Sequence, residues 1–342
     1  MAACSVVAMV VVQMLLGGDI VLCKVAADEG MPVSIIVAYR FIFSAAFLSP
    51  IAFMLERETP RLKWTIVLQS FLTVLMGGTL FNNIAKTSAT FADASGSIVP
   101  AMTTVISVLL TAVISVLRRK EKISLRTVSG KARVISIIIC IGGAMLLTFY
   151  KGVELPTHNH FSLVTQPAAQ SPVGSHSGNY ALGVILAILA CLCYSISIVL
   201  LSVVRKNYTC HYLSTSLMNL MGAVQSTLYA LCTERDNWSG WKLDLKLFLI
   251  MCYSGFLASG VAVILCIWCD NKSGPLFVSI FNPLALVFVA LGSSLLLNEP
   301  LYLGSVLGGI VIIAGIYGVL WAKERDMKQV SGAICDIEMA GE

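Results

Sequence analysis

Two opposite charges, Asp19 and Arg40, stand inside long apolar stretches of this 342-residue chain. If such a stretch crosses a bilayer, a charge at its centre costs about 2.5–3.5 kcal/mol on insertion scales. Charges kept at that cost pair with each other or mark the path of a polar solute. A neutral polar set accompanies them: Gln13, Asn82, Asn83, Tyr194, Asn219, Gln225, Trp268 and Asn282. Amide side chains offer donors for a carboxylate and acceptors for an ammonium without adding net charge. Pro100 and Pro283 contribute backbone. Each lacks an N–H and frees the carbonyl four residues earlier, at Gly96 and Ser279. Freed acceptors at depth suit hinges beside a central cavity, or two packed kinks without a ligand role. The chemistry these groups support is reversible capture of a small polar molecule.

Bond-making chemistry finds little support. The chain has no G-x-x-x-x-G-K-[ST], which argues against ATP-driven pumping. It has no HExxH and no GxSxG, and His211 is the only histidine near an apolar run. Cys266 and Cys269 form a CxxC without a second ligand pair, and the 11 cysteines lie mostly in or beside apolar runs, as small hydrophobes do. His158 and His160 sit in a polar link with no matching ligands nearby. No catalytic residue, metal or cofactor is expected.

The elements that must hold these residues are membrane helices. The sequence is 57% hydrophobic and only 12% charged, against about 25% charged in soluble domains. Ten apolar spans follow: 4–26, 33–54, 64–84, 93–117, 132–150, 180–204, 212–232, 247–269, 275–297 and 303–322. Each is near the roughly 20 residues that cross a hydrocarbon core. The first span lacks a charged n-region and exceeds a signal-peptide core of roughly 7–15 residues, so it is kept as a helix. Apolar sequence begins almost at Met1, which suggests that a short leader is missing. The expected fold is an all-α membrane protein with the lipid bilayer as its surroundings.

Lys and Arg set the orientation. With the N-terminus cytoplasmic, sixteen of the 23 fall in inner links, among them the cluster from Arg118 to Arg133, and five in outer links. That bias puts both termini in the cytoplasm. It also argues against nucleic acid as a partner, because the basic residues are scattered over short links instead of lining one soluble face. The link 151–179 is polar, aperiodic and proline-containing, and is expected as a flexible outer loop; 323–342 is a cytoplasmic tail. Of the sequons at Asn207, Asn237 and Asn271, Asn237 alone falls outside. Glu121 and Glu299 open the last link of each half, where a helix N-terminus favours acid.

Within this frame Asp19 and Arg40 both lie roughly 10–12 Å below the outer face, at a rise of about 1.5 Å per residue. They either pair across the first two helices or each face a wet vestibule. Lys24 is close enough to the interface to snorkel. Asp19 is the protonation site if transport is proton-coupled.

The long loop divides the spans five and five, and the halves echo each other. Gly77 precedes Pro100 as Gly260 precedes Pro283, and Gly143 precedes Lys151 as Gly315 precedes Lys323. Residues 4–150 and 180–322 therefore read as two repeats. Five is odd, so the second is inverted, an arrangement that holds substrate near the midplane in transporters. The glycines Gly304, Gly308, Gly309, Gly315 and Gly318 suit close helix approach.

Four segments carry a family resemblance: GSVLGGIVIIAGIYGVLWAKE (304–324), SGPLFVSIFNPL (273–284), LLLNEPLYLG (295–304) and AYR (38–40). The chain resembles the plant nodulin-21-like, walls-are-thin-related family, also called UMAMIT proteins, with tandem EamA-type repeats in the drug/metabolite transporter superfamily. The resemblance implies ten helices, cytoplasmic termini and movement of small organic solutes, chiefly amino acids and in some members auxin or related metabolites. In this sequence Asp19 stands where members commonly have Asn. Central position, and their helices in the family fold, single out Gln13, Asn82, Tyr194 and Asn282 as substrate-binding beside Asp19 and Arg40. A plasma or vacuolar membrane is expected. A homodimer is a further partner reading, with no residue singled out for it. A channel and a signalling receptor are the rival classes; ten helices with an inverted repeat fit alternating access better.

Overall fold

In lipid every backbone N–H and C=O must be satisfied by the protein, and an apolar run of about 20 residues does this alone only as a helix. The computed structural model describes residues 2–56, 64–92, 128–150, 152–155, 180–208, 210–235, 238–297 and 301–340. In chain order these form α1 (Ala2–Asp28), α2 (Val33–Leu55), α3 (Trp64–Val74), a π-helical segment (Leu75–Leu80), α4 (Phe81–Ala92) and α5 (Val128–Phe149). Then come β1 (Glu154–Leu155), α6 (Tyr180–Asn207), α7 (His211–Thr233), a short 3-10 turn (Trp238–Trp241) and α8 (Leu245–Cys252). A second π-helical segment (Tyr253–Val261), α9 (Ala262–Ser273), α10 (Pro275–Ile280), α11 (Asn282–Leu296), β2 (Leu301–Tyr302) and α12 (Leu303–Ala340) complete the chain.

Among the described residues, 8 stretches are long and apolar enough to cross a membrane. They match eight of the ten expected spans. The ninth, α7, has the length at 23 residues but carries serines, threonines, Asn219 and Gln225, which lower its hydropathy. The expected span 93–117 lies outside the described residues, as do Pro100, Glu121, His158, His160, Asn237 and the corner Asn298-Glu299-Pro300. Within the link 151–179 the described residues include β1, which pairs antiparallel with β2, Glu154 opposite Tyr302; residues 156–179 lie outside the described residues.

Two features depart from plain spans. The expected helix over 275–297 is broken at Phe281, between α10 and α11, with Pro283 in the first turn of α11. The third span of each half carries a π segment, with Gly77 and Gly78 in one and Gly255 and Gly260 in the other. A π turn widens the helix and recurs at functional sites. Gly30 (φ 91°) and Gly274 (φ 89°) turn the chain between α1 and α2 and between α9 and α10, in a region that favours glycine.

The two halves interlock. α1 packs on the second π segment, α9 and α11, while α6 packs on α3, the first π segment and α4. α2 pairs with α7, and α5 with α12. The α5–α12 seam is closely packed. A Cβ at Gly143 would come within 2.9 Å of Ile312 and 3.0 Å of the Gly308 carbonyl, and one at Gly315 would meet Cys140 and the Ser136 carbonyl. One register shift carries Gly143 onto Gly315, Cys140 onto Ile312 and Ser136 onto Gly308, so each glycine meets the counterparts of the other's neighbours. The main core lies beside this seam, where Met9 and Val12 of α1 join Phe277, Ile280, Phe281 and Leu284 at the helix break.

Candidate functional site

The α2–α7 seam is polar. Its polar partners descend α7 as they ascend α2, so the helices run antiparallel. Ser34 Oγ donates to Glu234 Oε1 at 3.0 Å, and Asn219 Nδ2 to Ser44 Oγ at 2.9 Å. Ser216 Oγ donates to Ser49 Oγ at 2.9 Å. The Tyr212 and Leu213 amides donate to the Glu56 carboxylate at 3.1 and 2.8 Å. Such bonds hold polar groups in a membrane interior by giving each a partner on the facing helix.

Arg40 projects one turn before Ser44, on the same face of α2. Its Nε donates to Ser259 Oγ at 2.9 Å, and its Nη1 lies 3.3 Å from Asp19 Oδ2. Ser44 Oγ, already an acceptor from Asn219, donates onward to the Ser259 carbonyl at 3.4 Å. A continuous polar chain results: Asp19, Arg40, Ser259, Ser44, Asn219. It draws on α1, α2, the second π segment and α7. That segment comes close because Gly255 and Gly260 present no side chain to Phe43 and Phe47 of α2.

Asp19 and Arg40 thus form a pair instead of standing apart. The pair is lopsided. The Asp19 side chain is 3% exposed and that of Arg40 36%. The Cys23 thiol, one turn on, donates to Asp19 Oδ1 at 3.6 Å. Lys24 is exposed near the end of α1.

A second polar cluster surrounds the first π segment. Asn82 Nδ2 bonds back to the Gly78 carbonyl, and Asn83 Nδ2 to that of Thr79 at 2.7 Å. The Thr79 and Ser226 hydroxyls lie 3.5 Å apart, and Gln225 Nε2 donates to the Phe71 carbonyl at 3.1 Å. The Tyr194 ring sits 5.2 Å from that of Phe81, the residue before Asn82. Gln13 is 1% exposed, and its Nε2 has no hydrogen-bond partner among the described residues. Asn282, half-buried, opens α11, which packs on the α1 helix that carries Gln13. Cys266 and Cys269 are free thiols, and no cluster able to hold a metal occurs among the described residues.

Reading the sequence missed Ser44, Ser259, Glu56 and Glu234. Ser44 carried a signal, since it stands four residues from the intramembrane Arg40. Ser259 did not stand out in its run. The two glutamates fall one residue past helix ends, where charge is ordinary.

The chain is a multi-pass helical membrane protein whose polar chains run within and between its halves. Comparison with known proteins makes that specific. The model of the EamA-like transporter family matches residues 4–149 and again 181–321. WAT1-related protein At1g25270 of Arabidopsis thaliana is 35% identical over 98% of this chain and 94% of its own length. WAT1-related protein At1g68170 of the same plant is 36% identical over 95% and 91%. Protein WALLS ARE THIN 1 of Arabidopsis thaliana is 33% identical over 94% and 84%. A protein of known crystal structure covers 92% of this chain and 98% of its own with a TM-score of 0.64, at 15% identity, and so shares the fold. The chain belongs to the EamA-like transporter family and groups with the plant WAT1-related proteins.

Proposed function

We propose that this chain is a secondary transporter, independent of ATP, that moves small organic solutes, amino acids foremost, by alternating access. In this reading ten spans form two inverted five-helix repeats, 4–150 and 180–322, with both termini cytoplasmic, in the plasma or vacuolar membrane. The seventh span is α7, and 93–117 supplies the fourth. Asp19, Arg40, Gln13, Asn82, Tyr194 and Asn282 line the path, and the break at Pro283 serves as a hinge.

The observation that carries the reading is the polar seam between α2 and α7 joined to the Asp19–Arg40 pair. Hydrogen bonds along a cross-half interface exchange for solute or water more readily than a fully apolar seam opens. Arg40 keeps 36% of its side chain exposed at a depth where lipid contact is costly. That exposure fits a water-filled vestibule at which a carboxylate arrives. An α-amino acid matches such a site, with acceptors for its ammonium at backbone carbonyls and donors for its carboxylate at Arg40 and the amides.

The test is counterflow by the purified protein in liposomes. Saturable uptake of labelled amino acid, accelerated by unlabelled amino acid inside, is expected. Non-saturating flux with unitary currents would replace the carrier with a pore.

A further inference from the structure

The two members of the intramembrane pair differ in what they show to a solute. Asp19 is sealed at 3% exposure, held by Arg40 and by the Cys23 thiol. Arg40 is 36% exposed, with its Nε committed to Ser259. Where the Arg40 side chain opens to the path, its charge is already balanced from behind by Asp19.

We propose that Asp19 sets the charge class of the cargo: it neutralises Arg40, so that the site takes net-neutral zwitterions and turns away lone carboxylate anions. This rests on the reading that the transport path passes Arg40, with Asp19 behind it.

The reasoning is charge balance in the occluded site. A carboxylate that docks on Arg40 in the presence of Asp19 makes two anions share one cation. The excess negative charge is costly once the path closes around the solute and the vestibule water is displaced. A zwitterion brings its own ammonium and leaves the total at zero. Asp19 need not touch the solute, so it acts as a specificity determinant through Arg40.

Counterflow tests this in liposomes with two probes: a radiolabelled neutral α-amino acid and its radiolabelled desamino analogue, the corresponding monocarboxylate. Wild type is expected to favour the amino acid. Asp19→Asn leaves Arg40 uncompensated and should raise the ratio of monocarboxylate to amino-acid uptake by about tenfold or more. Adding Arg40→Gln to it removes the cation and should abolish that gain. A monodisperse Asp19→Asn protein that transports with the wild-type ratio overturns the proposal. So does a wild type that prefers the monocarboxylate, while the transporter reading then stands. If wild type moves neither probe nor any other organic solute, the transporter reading itself fails. Should Asp19→Asn not fold, competition on wild type decides. The unlabelled desamino acid and the matching amine, each lacking one of the two charges, should inhibit amino-acid uptake at least about tenfold more weakly than the parent. Equal inhibition by the desamino acid overturns the proposal.

Discussion

Ser34, in the first turn of α2, donates its hydroxyl to the carboxylate of Glu234, which caps the far end of α7. At the other end of the same seam the roles reverse, and Glu56, which follows the last residue of α2, accepts the Tyr212 and Leu213 amides in the first turn of α7. Acid at a helix C-terminus opposes the macrodipole of its own helix but favours the N-terminus of an antiparallel neighbour. One register shift takes Val33, Leu55 and Glu56 onto His211, Thr233 and Glu234, and takes Leu75 onto Tyr253, where the two π segments begin.

The Glu56 clamp is open to direct test. The backbone donors of α7's first turn have no side-chain cap from Cys210, so the Glu56 carboxylate carries that role. Glu56→Ala should lower stability by about 1–2 kcal/mol, the usual scale for losing an N-terminal cap. Fraying should also expose Cys210, half-buried beside it. Faster alkylation of Cys210, followed by mass spectrometry, is the expected result, with Cys232 on the far end unchanged.

The α5–α12 seam predicts a contrast between adjacent glycines. A Cβ at Gly142 meets nothing within 4 Å, whereas one at Gly143 meets Ile312 at 2.9 Å and the Gly308 carbonyl at 3.0 Å. Gly142→Ala should be neutral or slightly stabilising, by up to about 1 kcal/mol from helix propensity. Gly143→Ala must push the two helices apart and should cost about 1–3 kcal/mol. Thermal shift of the detergent-solubilised proteins checks both, and equal melting temperatures would remove the close approach.

Much of this was legible in the sequence, and unevenly. Asp19 and Arg40 stood out because charge inside an apolar run is expensive, and their similar depth favoured contact. The glycines of α12 announced close packing by their spacing. The π segments left no such trace, because hydrophobic pattern does not separate a π turn from an α turn. That gap also distorted the internal repeat. Counting back from Pro100 and Pro283 matches Gly77 with Gly260, while helix ends and π starts match it with Gly255. Pro50 inside α2 passed unnoticed, although its neighbour Ser49 bonds Ser216 across the seam. Ser259 was hidden because its role depends on where α2 places Arg40.

The pair itself predicts asymmetric single mutants. Arg40→Gln leaves the sealed Asp19 carboxylate without its cation, and breaking a buried pair from one side costs about 3 kcal/mol or more. The half-exposure of Arg40 puts this case at the low end of that range. Removing both charges together, as Asp19→Asn with Arg40→Gln, should recover most of the loss, since two matched neutral groups no longer bury an orphan. Expression level and melting temperature of the two variants are the readout. A double variant no more stable than Arg40→Gln would show that the contact carries little coupling.

Two further ion pairs close opposite ends of the bundle. Arg205 of α6 reaches Asp270 of α9 at 2.9 Å, on the face where Glu56 meets α7. Lys246 of α8 reaches Glu29, just past α1, on the face where Glu234 meets Ser34. All four side chains are part-exposed, so each pair contributes at most about 1 kcal/mol. That suffices to shift a two-state equilibrium by up to about fivefold. If the pairs are latches on the two faces, Asp270→Asn should favour opening at its own face, and Lys246→Met opening at the other. Labelling single-cysteine reporters with membrane-impermeant maleimide from a defined side of oriented vesicles distinguishes them. The two substitutions should move the labelling in opposite directions. High salt should shrink the difference, because exposed pairs are screened over a Debye length of about 3 Å at 1 M. Shifts of the same sign would make both pairs simple staples with no part in choosing a side.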